Sequence, residues 1–139
     1  MSIQHVAVIG AGTMGNGIAQ VCALAGLDVT MVDVSTAALE RGRSTIASSL
    51  DRLVQKEKLQ PARRNETLQR IHTSTAYQEL KSAGLVVEAA TENLELKLRI
   101  LRQVDALVGA DTVIAAAKDA TLETAFRAGA LARKIIRRP

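Results

Sequence analysis

The 139-residue chain has no tryptophan, and its only aromatic side chains besides histidine are Tyr77 and Phe126. Single-stranded nucleic acids are gripped by stacking bases on aromatic rings, so two scattered rings exclude such a platform. One cysteine, Cys22, cannot close an internal bridge. That excludes a disulfide-stapled scaffold and points to a reducing, cytoplasmic setting. Two prolines and nine glycines exclude collagen-like and linker-like chains. Long apolar runs are missing as well. The stretch 18–27 is interrupted by Gln20 and is shorter than the ~20 residues a membrane span needs. No lysine or arginine precedes it, and Gly10, Gly12, Gly15 and Gly17 break the apolar region that a secretion signal requires. Neither a membrane segment nor a signal peptide is expected.

The length fits one domain, and 47% hydrophobic with 23% charged residues is an ordinary globular balance, which excludes a wholly disordered chain. The net charge of +4 invites a nucleic-acid reading until it is located. Residues 1–117 hold 12 basic and 12 acidic side chains, whereas residues 118–139 hold 6 and 2. The excess belongs to an end rich in Arg133, Lys134, Arg137 and Arg138. A solvated basic tail is expected, with no nucleic-acid partner.

Along the chain, two periodicities alternate. Val6-Ala7-Val8-Ile9 is a short continuous apolar run of the kind that makes a strand covered on both faces. Met14, Ile18, Val21, Cys22 and Ala25 then recur at helical spacing, closed by Gly26. Val29 to Val32 is a second buried strand. Ser35 is a suitable cap for a long helix with an inner stripe of Leu39, Ile46, Leu50 and Leu53, expected to run to about Leu59 before Gln60-Pro61. Residues 62–71 predict a charged helix carrying Leu68 and Ile71, and 72–76 a weak strand. Leu85 to Ala90 is another apolar run, followed by a stripe of Leu94, Leu98, Leu101, Val104 and Val108 ending at Gly109; residues 112–115 make the last strand. The alternation predicts an α/β fold, a doubly wound parallel sheet with first-half order 3-2-1-4-5.

Gly10-Ala11-Gly12-Thr13-Met14-Gly15 joins the first strand to the first helix as G-x-G-x-x-G, and Asp33 ends the next strand 18 positions after Gly15. That context gives the motif its specificity as a dinucleotide fingerprint of the Rossmann type. Gly10 permits the tight turn, Gly12 lets a pyrophosphate approach the backbone, and Gly15 allows close helix–strand packing. Unpaired N–H groups and the positive dipole end of the helix favour an anion there. Asp33 is placed to accept ribose hydroxyls and to repel a 2′-phosphate, which favours NAD over NADP. The alternative is that the glycines only shape a turn and Asp33 caps a loop. Thr91-Glu92-Asn93 follows the fourth strand and should face the same crevice. Spacing leaves Glu92 and Lys97 open, either facing the nicotinamide half and substrate or lying on a helix's first turn and solvated face.

Three stretches carry a resemblance: "VAVIGAGTMGNGIAQVCALAGLDVTMVDVS", "SSLDRLVQKEKL" and "LVVEAATENLELK". Over residues 3 to about 115 the chain resembles the amino-terminal NAD-binding domain of 3-hydroxyacyl-CoA dehydrogenases. The resemblance implies that residues 10–15 bind the NAD pyrophosphate and Asp33 the adenosine ribose. It implies that Ala89, Ala90, Glu92 and Lys97 line the nicotinamide side, and that Ser49 and Lys56 touch the CoA part of an acyl-CoA substrate. The implied chemistry is reversible hydride transfer between NAD and the C3 hydroxyl, with a histidine as general base oriented by a glutamate and with no metal.

The chain departs from that pattern after its last strand. Ala116-Ala117-Lys118-Asp119-Ala120 stands where the family has Ser-Asn-Thr-Ser-Ser, with Asp119 in place of the catalytic serine. The "HFFNP" strand with its histidine, and the helical carboxyl-terminal domain, are not found. His5 and His72 are expected to stay out of the crevice, and no catalytic residue is assigned. The expected division is a Rossmann domain at 1–116, truncated before its last strands, and a basic tail at 117–139, unrelated sequence after a truncated or frame-shifted domain. An amphipathic helix around Leu122, Ala125, Phe126 and Ile136 is expected in that tail. The sheet edge left exposed is a candidate for homo-oligomer formation. The expected function is an NAD-binding domain of the dehydrogenase, inactive alone. A non-catalytic NAD- or acyl-CoA-binding module, or a structural protein, is the alternative.

Overall fold

Runs rich in valine and isoleucine have no polar face to offer water, and here they are sandwiched between two helical layers. The computed structural model describes residues 3–91 and 93–116. The expectations placed on Glu92, Asp119 and the basic tail lie outside the described residues. In chain order the elements are β1 (His5–Ile9), α1 (Thr13–Leu24), β2 (Asp28–Val32), α2 (Thr36–Gln55), α3 (Pro61–Gln69), β3 (Ile71–Ser74), a 3-10 segment (Tyr77–Ser82), β4 (Leu85–Glu88), α4 (Leu94–Leu107) and β5 (Val113–Ala116). The strands form one sheet in the order β3-β2-β1-β4-β5, as expected. Every pairing is parallel, with Val6 opposite both Val29 and Leu85. The fold is therefore a Rossmann-like α/β sheet with flanking helices.

Alternation along each strand divides the core into two layers. Val6, Val8, Val29, Met31, Leu85 and Val87 face one way and pack on Ile18, Cys22, Leu39, Ile46 and Leu50 of α1 and α2. Ala7, Ile9, Val32, Val86 and Ile114 face the other way, onto Leu80, Ile100, Leu101 and Val104 of the 3-10 segment and α4. Burial pushes the Cys22 thiol up to about 12, so it stays protonated and behaves as a small apolar side chain. No helix among the described residues is long and apolar enough to cross a membrane.

The helix ends follow local chemistry. Ser35 caps α2 by accepting from the Ala38 N–H at 3.1 Å, and Pro61 opens α3, where its missing N–H costs nothing. After α1, the Leu27 N–H reaches the Cys22 carbonyl and the Gly26 N–H the Ala23 carbonyl, with Gly26 at φ +94°. The same motif closes α2 through Lys58 to Leu53 and Glu57 to Val54. Here Glu57 holds the left-handed position at φ +59°. This is why α2 stops at Gln55 rather than near Leu59: the termination is made without the glycine that usually announces it. Two smaller corrections concern α3 and β3. Ile71 belongs to β3, buried opposite Val29, and not to the preceding helix. Tyr77–Ser82 is a 3-10 segment where no element was expected.

A left-handed non-glycine residue costs about 1–2 kcal/mol, and glycine gives back about 0.5–1 kcal/mol through its looser unfolded chain. Glu57→Gly should therefore stabilise the chain by about 0.5–1 kcal/mol. Urea unfolding should show a higher midpoint at unchanged slope, and a lower midpoint would mean that the exposed Glu57 side chain contributes more than its backbone strain.

Candidate cofactor-binding site

The carboxyl ends of β1, β2 and β4 meet at Gly10. Its N–H donates to the Val32 carbonyl at 2.7 Å, and the Ala89 N–H donates to the Ile9 carbonyl at 2.8 Å. Gly10 stands at φ +104°, and a Cβ there would lie 2.8 Å from the Ala90 Cα and 2.9 Å from the Ala89 carbonyl group. Only glycine lets the segment leaving β4 rest directly on the turn. Gly15 is needed for another contact, because a Cβ on it would overlap the Gly10 carbonyl oxygen. Gly12 differs from both. It is exposed, it begins α1 without a side-chain cap, and nothing lies within 4 Å of where its Cβ would be. That leaves open space at the amino end of α1, where the N–H groups of the first turn have no intrahelical partner. No acidic residue in that turn competes for their positive end.

Asp33 is pinned across from the turn. Its Oδ2 accepts from the Ala11 N–H at 3.1 Å and its Oδ1 from the Ser35 N–H at 2.9 Å. A carboxylate offers about four lone-pair sites, so two acceptor positions remain for hydroxyl donors. A nearby phosphate would meet its negative charge. The turn, the open space at Gly12 and the half-used carboxylate suit a dinucleotide's pyrophosphate and ribose.

On the other flank the structure brings Ala89, Ala90 and Lys97 to the end of β4. Lys97 is held by Glu88, whose Oε2 accepts from its Nζ. Glu88 is fully buried, and its Oε1 accepts from the N–H groups of Ala90 at 2.7 Å and Thr91 at 3.2 Å. Asn93 starts α4 by accepting from the Leu96 N–H at 3.0 Å. Ser49 sits lower on α2, half-buried, accepting from the Gln20 side chain of α1 at 3.0 Å. Lys56 is exposed at the end of the same helix, which stops just before it.

Three participants escaped the sequence analysis. Glu88 lay inside an apolar run and read as a strand residue. Gly42, inside α2, would place a Cβ 2.7 Å from the Ala11 carbonyl oxygen, so its missing side chain is what seats α2 on the turn. The one available signal was a glycine in a helix interior, where it costs about 1 kcal/mol against alanine. Tyr77 is half-buried against the second core layer, and burial, then Asp33, then Glu88 hold its phenol above the ordinary range. Both histidines lie elsewhere. A cavity of about 540 Å³ opens between β1–β3 and the 3-10 segment, lined by His5, Asp28, Thr30, His72, Glu79 and Ser82. His5 opens β1, at the far end from Gly10, and is tied to Thr30 at 2.8 Å and Ser82 at 3.2 Å.

Gly42→Ala separates propensity from packing. Alanine gains about 1 kcal/mol as a helix former, but the backbone contact forces an overpacking cost of about 1–3 kcal/mol. Net destabilisation in urea, together with weaker NADH binding by fluorescence, is expected; a more stable variant with unchanged affinity would show that the contact is loose.

Comparison with known proteins places this geometry. The family described as 3-hydroxyacyl-CoA dehydrogenase, NAD binding domain, matches residues 5–132, running past the boundary expected at 116. The fatty acid oxidation complex subunit alpha of Psychrobacter cryohalolentis is 36% identical over 131 residues, covering 94% of this chain and 18% of that protein. The 3-hydroxybutyryl-CoA dehydrogenase of Bradyrhizobium diazoefficiens is 40% identical over 113 residues, covering 81% of this chain and 39% of the relative. Among solved structures, (S)-3-hydroxybutyryl-CoA dehydrogenase from Ralstonia eutropha is similar, with 56% identity and a TM-score of 0.81 over 83% of this chain and 41% of that one. The chain thus spans less than half of each of these relatives. By its glycine turn, its strand order and these matches, it belongs to the 3-hydroxyacyl-CoA dehydrogenase family, as the NAD-binding domain.

Proposed function

We propose that this chain holds NAD by its diphosphate at the amino end of α1 and by its adenosine ribose at Asp33, as the cofactor half of a 3-hydroxyacyl-CoA dehydrogenase. The observation that carries the reading is the open space at Gly12 beside a carboxylate already oriented by the Ala11 N–H. Gly12, Thr13 and Met14 would supply the anion's donors without side-chain reorganisation. Asp33 would accept from the ribose hydroxyls through its remaining lone pairs, and its charge would disfavour a 2′-phosphate. Ala89, Ala90 and Lys97 would face the nicotinamide half, Glu92 joining them by resemblance. Ser49 and Lys56 would address the CoA portion of an acyl-CoA, with the Lys56 ammonium meeting a phosphate.

Bound NAD supplies the hydride acceptor for the C3 carbon of the hydroxyacyl substrate. The proton of the C3 hydroxyl needs an acceptor tuned near neutral pH. Among the described residues neither histidine stands in the crevice, and this favours a second reading, a non-catalytic module that binds the cofactor and leaves proton transfer to another part of the enzyme. Both readings share the NAD site, and a single buried cysteine suits the cytoplasmic setting proposed for either.

Asp33→Ala tests the site by calorimetry with NADH and NADPH. Losing hydrogen bonds to a charged acceptor costs about 1.5–3 kcal/mol, so NADH affinity should fall about ten- to a hundredfold. NADPH affinity should fall far less. An unchanged ratio between the two nucleotides would mean that Asp33 does not face the ribose.

A further inference from the structure

Glu88 is an expensive residue for its position. The rest of β4 is Leu85-Val86-Val87, and an apolar side chain in its place would avoid the desolvation of a fully buried carboxylate. Three donors compensate it, and all three belong to the crevice flank. The Ala90 and Thr91 N–H groups converge on one oxygen and fold the segment after β4 back over the strand end. The Lys97 ammonium, on the first turns of α4, meets the other oxygen, with its side chain only 15% exposed. The same folded-back segment is the one that rests on Gly10. One carboxylate therefore sets both the backbone facing the glycine turn and the placement of a cation beside it.

We propose that Glu88 is a positioning residue for the cofactor: it acts through Lys97, holding that ammonium at the crevice flank beside the glycine turn, on the side proposed for the nicotinamide half. The proposal deepens the reading of the crevice as an NAD site and rests on it. Burial of the carboxylate is then functional. In water Lys97 would sample many rotamers, and fixing a long cationic side chain before binding removes that ordering cost from the binding step.

The test uses the 139-residue chain with NADH as the probe, in a double-substitution cycle. In Glu88→Gln the amide oxygen still accepts from Ala90 and Thr91, while the amide nitrogen opposes Lys97, so the loop is kept and the buried ion pair that fixes the ammonium is lost. NADH affinity should fall about tenfold, the size of one lost charged contact, and Lys97→Gln should do the same. The double variant should bind no more weakly than Lys97→Gln alone, because Glu88 acts through that lysine. Additive losses, or wild-type affinity in Glu88→Gln, would overturn the proposal. Should Glu88→Gln fail to fold, unchanged affinity in Lys97→Gln alone overturns it.

Tyr77 provides a readout without cofactor. It is the sole tyrosine in a chain lacking tryptophan, and its phenol is held up partly by the Glu88 charge. Tyrosinate absorbance in Glu88→Gln should therefore titrate at lower pH than in the wild type. An unshifted titration would mean that the Glu88 side chain is not placed to act on this flank, and overturns the proposal. If Glu88→Gln shows this shift while the wild-type chain binds no NADH, the cofactor reading is overturned instead, and the positioning role with it.

Discussion

Three backbones converge on two residues, Gly10 and Ala11, so closely that none of the three contacts has room for a further Cβ. α1 arrives through Gly15, α2 through Gly42 and the segment after β4 through Gly10 itself. Each contact is closer than a Cβ allows, so the turn has almost no freedom to relax. The rest of the site depends on this. Asp33 can orient the Ala11 N–H because the turn is held against β2, and Ala89 and Ala90 can line the crevice because nothing projects from Gly10. Gly12, with empty space around it, is the one glycine of the motif that leaves room for a ligand. Close packing elsewhere in the turn and vacancy here are two uses of the same missing side chain.

Around that turn the charges are arranged in opposition. Asp33 and the Lys97–Glu88 pair stand at the ends of β2 and β4, on either side of β1. The amino end of α1 contributes a positive field without a titratable group. A dinucleotide laid across the strand ends would present its phosphates to the helix and its sugars to the flanking side chains. The charged groups around the turn, Asp33, Glu88 and Lys97, sit on strand ends or in the first turns of a helix, so the core that fixes the strands also fixes them. The polar cavity near His5 and His72 lies on a sheet face and belongs to no part of this arrangement.

Much of this was legible in the residues. The strand order followed from apolar runs separated by helical stripes, and the glycine spacing with Asp33 pointed to the strand ends where the structure brings the turn and that carboxylate together. What escaped did so for physical reasons. The end of α2 is set by Glu57 in a conformation that glycine normally occupies, so the residue type gave no sign. Ile71 serves a strand although helical spacing also fits it, because a single isoleucine carries no period. Gly42 touches Ala11 across 31 positions, a tertiary contact that local patterning does not contain. Glu88 looked like an interruption in "LVVEAA", and only the three donors folded around it reveal why a charge is tolerated there.

The most direct measurement of the central claim is an amide chemical-shift titration of the labelled chain with NAD. The account predicts that the N–H groups of Ala11, Gly12, Thr13 and Met14 move first and furthest, with Ala90 and Thr91 following, while His5 and His72 stay still. Saturating nucleotide that leaves the residue 11–14 amides unmoved, or shifts that gather around the His5–His72 cavity, would contradict it.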